Sequence, residues 1–170
     1  MTTLIYANRH NVKTNAIPNP PELNYPAREA KSPLIKIVRA VTRPVDERTL
    51  TCVISSNSGS TLNPKPLLDL LCLCYARGIY SSARIETALR FDEQLRQVCG
   101  KSIPDVSVLR RFRNDNWNSI RSCLATVLWC LAQQKVTAGF VTKTSKASID
   151  EEASRRMTAA AFSDAECGWN

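Results

Sequence analysis

Apolar positions are distributed in two different ways along this chain. From Asn63 onward they recur every three or four residues, the spacing of one helix face. Before Asn63 no such period holds.

The first helix of the periodic part is predicted over "PKPLLDLLCLCYAR". Asn63 is a good N-cap, Pro64 suits the first turn, and Gly78 is placed as a left-handed C-cap. Leu67, Leu71, Cys74 and Tyr75 form one stripe and Leu70 and Leu73 a neighbouring one, so this helix is apolar over much of its surface and belongs at the centre of a core. Ser81 or Ser82 caps "ARIETALR", with Ile85, Ala88 and Leu89 buried. Asp92 caps "EQLRQVC", which stops at Gly100. After the turn "GKSIPD", Asp105 or Ser107 caps a helix holding Val108, Leu109 and Phe112 on one side.

Trp117, Ile120, Leu124, Val127, Leu128 and Leu131 then define a helix of about five turns. "VTAGFVTKTSK" interrupts it. A last helix is expected from Ser148, where Ser148 and Glu151 form a capping box and Ile149, Ala153, Met157, Ala160 and Ala161 a narrow apolar stripe. Asp164 and Glu166 fall in what reads as a frayed end.

The N-terminal part reads differently. Five prolines within residues 1–33 argue for an arm that is extended or simply disordered. The runs "LIKIVRAV" and "RTLTCVIS", on either side of "TRPVDE", suggest a weak β-hairpin that must dock on the helices, followed by the linker "SSNSGST". The expected fold class is therefore all-α: a small helical bundle with a helix-turn-helix-like segment, preceded by an extended or weak β-hairpin region. The expected divisions are 1–62 for arm, hairpin and linker, 63–135 for the helical domain, and 136–170 for a loop and a docking or dimerisation helix.

Charge narrows the partners. The chain has 23 Lys+Arg against 15 Asp+Glu, net +8. Residues 1–62 hold eight basic and four acidic groups, 63–135 eleven and six, and 136–170 four and five, so the excess lies in the first two segments. Such a balance favours a polyanion, nucleic acid before membrane. No apolar leader follows Met1, and the run Leu67–Ala76 contains Asp69 and is half a membrane span, so a soluble, cytoplasmic protein is expected, nucleoid-associated if it binds DNA.

Chemistry narrows them further. The seven cysteines are irregularly spaced, and the one histidine, His10, lies far from Cys72-x-Cys74. They read as reduced core residues, with no metal and no cofactor expected. No Ser-His or Cys-His pair and no glycine-rich phosphate loop is present, and Asp150, Glu151 and Glu152 suit a helix N-terminus. No catalytic residue is assigned.

Residues 92–116 have the order helix, turn, helix with a basic outer face, the turn being longer than that of the common motif. If Val108, Leu109 and Phe112 anchor the second helix, Arg110, Arg111 and Arg113 project outward to phosphates or guanine edges. Asn114 can then read adenine, Lys101 lies beside them in the turn, and the helix N-terminus with Ser107 can take a phosphate. The plainer alternative is a solvated basic face.

Residues 67–113 resemble the N-terminal domain of InsH-type insertion-sequence transposases. The resemblance rests on Gly78, Ser82, Arg84, Ile85, Glu86, Gly100, Pro104, Asp105, Ser107, Leu109, Arg111, Phe112 and Arg113, with Val108 where that family's signature has threonine. In those proteins the domain precedes an RNase H-like nuclease with an acidic metal-binding triad. Only 57 residues follow Arg113 here, and they read as helix, loop and helix. The resemblance thus implies a non-enzymatic partner of double-stranded DNA that recognises element ends without cutting them. The alternative it leaves is a dimerisation module that regulates a full-length transposase, through a homodimer or a mixed pair.

Overall fold

The computed structural model describes residues 32–54, 59, 61–100, 103–138 and 144–166, all within one compact unit. Residues 1–31 of the proline-rich arm, and Lys101, lie outside the described residues. The architecture is all-α with one small antiparallel hairpin, the expected class. Seven α-helices occur among the described residues: α1 (Pro33–Thr42), α2 (Pro64–Ala76), α3 (Ser82–Phe91), α4 (Glu93–Cys99), α5 (Val106–Asp115), α6 (Trp117–Thr137) and α7 (Lys146–Glu166).

The hairpin is not the one expected. "LIKIVRAV" is helix α1, not a strand; Ser32 precedes it and Pro33 occupies its first turn. Its buried residues Ile35, Val38 and Thr42 also fit helical spacing, and burial against α2 and α6 selects that period over the loose alternation. The two strands are instead β1 (Val53–Ile54) and β2 (Thr61–Leu62), so the segment read as a linker joins them. Val53 opposes Leu62 and both are buried, while Ile54 and Thr61 face outward. A short 3-10 turn, Glu47–Thr49, joins α1 to β1, and β1 rests on α5.

Helix α2 is the core. Every residue from Leu70 to Tyr75 is fully buried, and α1, α4, α5, α6 and α7 all contact it. Asn63 caps it as expected, accepting from Lys65 N. Its end is a left-handed Gly78 (φ 80°), with Ile79 N donating to Cys74 O and Gly78 N to Tyr75 O. Gly100 closes α4 with φ 81° and ψ −150°, a conformation that essentially only glycine adopts.

Helices α6 and α7 make the most extensive helix pair, and the stripe Ile149, Ala153, Met157, Ala160 is buried. Helix α7 begins at Lys146, not at Ser148, and the cap is Ser145, whose Oγ accepts from Ser148 N. It also closes the ends of two other helices. Arg156 Nη1 donates to Tyr75 O (2.8 Å) and Ala76 O (3.0 Å) at the C-terminus of α2. Asp164 accepts from Ser82 N (2.7 Å) at the N-terminus of α3. Orphan backbone groups of both helices are thus satisfied from one distant element.

Candidate nucleic-acid interface

Helix α5 carries the residues assigned to DNA. Its N-cap is Asp105, which accepts from Val108 N at 2.9 Å. Ser107 Oγ donates to the same carboxylate at 2.6 Å. The Ser107 hydroxyl and the Val108 amide together hold the Asp105 carboxyl below its ordinary value of 3.8. The expected phosphate site at this terminus is therefore already filled by the chain's own anion.

Val108, Leu109 and Phe112 are buried as expected, and α5 packs on α3, α2, α6 and β1. Arg113 departs from expectation. It points inward and is 2% exposed. Its Nη1 donates to Asp164 Oδ2 at 2.5 Å and to Ala160 O at 3.3 Å, both on α7. Asp164 is equally buried and also accepts from Ser82 Oγ at 2.5 Å. Burial opposes the guanidinium charge, but neighbouring Tyr75 and Asp164 outweigh it and hold its pKa above the ordinary value. The Tyr75 hydroxyl lies beside Arg113 without a hydrogen bond of ordinary geometry, and burial pushes its pKa up. Arg113 is thus a structural ion-pair partner, and Asp164 is a core anion where a frayed end was expected.

The reason is arithmetic on the helix. Residues 107, 110, 111 and 114 fall at i, i+3, i+4 and i+7 and share one side, whereas 113 lies beside 109 and 112 on the inner side. Ser107, Arg111 and Asn114 are exposed, and the Arg110 side chain is 33% exposed. Arg110 Nε lies 3.7 Å from Asp164, and Arg111, 70% exposed, lies 3.7 Å from Asp115. The Arg111–Asp115 pair is exposed, and such a pair at that distance is weak and exchanges readily with other anions, whereas Arg110 sits beside a carboxylate that is 3% exposed.

Residues 26–115 match the family model described as Transposase domain (DUF772). The chain belongs to that family. No curated protein and no solved structure matches it. Within this transposase domain fall α1 to α5 and the hairpin, whereas Asp164 and the rest of α7 lie beyond the matched residues.

Asn116, just past the match, was not singled out from sequence. It is buried and holds the strand approach to α5: its Oδ1 accepts from Thr51 N (2.8 Å), and its Nδ2 donates to Thr51 O (3.1 Å) and Phe112 O (3.0 Å). Its position between two helical runs was the one available signal. Cys74 and Cys99 are poor nucleophiles, since burial pushes Cys74 up to about 12 and Cys99 to about 11. Among the described residues no three His, Cys, Asp or Glu side chains come together to hold a metal ion, and no helix is long and apolar enough to cross a membrane.

Proposed function

We propose that this transposase-family chain binds double-stranded DNA at element ends through the outer side of α5, without cutting it. One observation carries the reading. Ser107, Arg110, Arg111 and Asn114 share a single side of a helix whose opposite side is anchored by Phe112 and by the buried Arg113–Asp164 pair. A rigidly held helix with two arginines and an asparagine on its outer side has the donors that guanine and adenine edges accept in the major groove. The order α4, turn, α5 follows that of a helix-turn-helix with a long turn.

The test is selection of bound duplexes from random DNA, followed by an Arg110→Ala/Arg111→Ala variant on the selected sequence. Arg113 is left in place, because removing it strands Asp164. The variant should keep its helical content and lose about 5- to 150-fold in affinity, the ~1–3 kcal/mol of a lost base contact. Equal binding by variant and parent would sink the reading. Nuclease activity is not expected from the purified chain, and Mg²⁺-dependent nicking of the selected duplex would refute that part. The apolar stripe of α7 is already covered by α6 within the chain, so a homodimer or a pair with a full-length transposase would form through other surfaces.

A further inference from the structure

Helix α1 carries a second row of cations. Lys36 and Arg39 on the helix and Arg43 one residue past it fall at i, i+3 and i+7, all exposed. Ile35, Val38 and Thr42 hold the other side in the bundle. No acidic residue occurs between Ser32 and Val45. Arg39 Nη2 donates to Gln97 O (3.4 Å) in the last turn of α4, which sets the row beside the turn leading into α5. Arg96, the residue before that carbonyl, is exposed as well. The side chains of Lys36, Arg43 and Arg96 make no ion pair or hydrogen bond with any described residue. Asp69 on α2 is near Arg39 and Lys65, but it is partly buried and accepts from Thr42 Oγ1 (2.5 Å).

We propose that Lys36, Arg39, Arg43 and Arg96 form a second DNA contact, which grips backbone phosphates flanking the segment read by α5. The proposal rests on the α5 reading. Its support is charge complementarity and length. From Lys36 to Arg43 the helix rises about 10.5 Å, the axial rise of roughly three phosphate-to-phosphate steps on one strand. A lipid surface fits less well, because the apolar side of α1 is buried and its outer side offers Ala40 and Pro44 rather than a wedge of large apolar residues.

The experiment uses the full chain with Lys36→Gln, Arg43→Gln and Arg96→Gln together, Arg39 being kept because it bonds to α4. A charge-keeping control carries Lys36→Arg, Arg43→Lys and Arg96→Lys. Affinity is followed against NaCl on the selected duplex and on a mixed-sequence one. Loss of three phosphate contacts should flatten the slope of log affinity against log salt by about 2.7, at ~0.9 per phosphate. Both duplexes should weaken alike, the control should keep the parent's slope, and melting temperatures should agree. A parent that binds no duplex overturns the α5 reading and this one together. A parent that binds while the neutral variant keeps its slope to within about one phosphate overturns this proposal alone. Binding to phosphatidylserine vesicles that the neutral variant loses, with its DNA slope unchanged, assigns the row to a membrane and equally overturns it.

Discussion

Helices α5 and α1 are both basic, yet they handle charge in opposite ways. Each arginine of α5 has a carboxylate near it: Arg113 and Arg110 share Asp164, and Arg111 faces Asp115. On α1, Lys36 and Arg43 have none, and Arg39 has only the half-shielded Asp69. A guanidinium in the core costs several kcal/mol unless paired, and on α5 Asp164 offsets that cost. Exposed cations need no partner, so α1 can leave its charge unbalanced toward solvent. The teaching is that arginine count does not locate a nucleic-acid surface. The helix with three arginines invests one of them in the core, while the helix with fewer arginines leaves more of its charge free.

The comparison breaks most sharply at Asp164. Asp164→Ala leaves Arg113 buried without its partner and should cost about 3–5 kcal/mol in urea unfolding, whereas neutralising Lys36 and Arg43 should leave the midpoint where it is. A small loss from Asp164→Ala would mean that Arg113 can swing out, and the contrast would collapse. Next in size is Asn116→Ala, which strands the Thr51 amide and carbonyl and should cost about 1–3 kcal/mol by the same measurement.

Smaller again is Asp105→Ala, worth about 1 kcal/mol as a lost N-cap. Because the folded-state pKa of Asp105 is depressed, its contribution is fully present above the ordinary 3.8 and is lost as pH falls through the lower folded value. The stability gap between parent and variant should therefore be constant at neutral pH and close in acid. A gap that persists at pH 2 would contradict the cap. The smallest effect is expected at Asp69 of α2, beside the cations of α1. Burial raises the pKa of Asp69, so its charge is a cost at neutral pH, and that cost is relieved as pH falls toward the unfolded value. Asp69→Asn can still accept from Thr42. It should leave stability unchanged or slightly raised and tighten DNA binding by no more than about fivefold, read by anisotropy at low salt. Weaker binding would show that α1 does not touch phosphate.

Much of this arrangement was local and therefore legible in the residues. Asn63, Asp92 and Asp105 cap the helices they precede, because a cap is a bond across two or three residues. Gly78 and Gly100 end helices because backbone strain is a property of one position. The stripes of α2, α5 and α6 follow from helical period alone. Helix α1 was misread for an instructive reason. Its β-branched run satisfies strand propensity, and the signals against it, Pro33 after Ser32 and the i, i+3, i+7 row of cations, count only once a core is there to bury the other side.

The amino-acid sequence by itself determined that an apolar α2 would be central, that α5 would be anchored by Val108, Leu109 and Phe112, and that the chain would carry a cationic excess. Only the tertiary structure decided where that excess is free. Arg113 meets Asp164 across 51 residues of chain, and the same carboxylate accepts from Ser82 N at the start of α3, the capping hydrogen bond that Ser81 does not make. No local pattern can encode such a pairing, since a charge becomes a core group only when a second element, here α7, closes over it and removes the water that would otherwise solvate it.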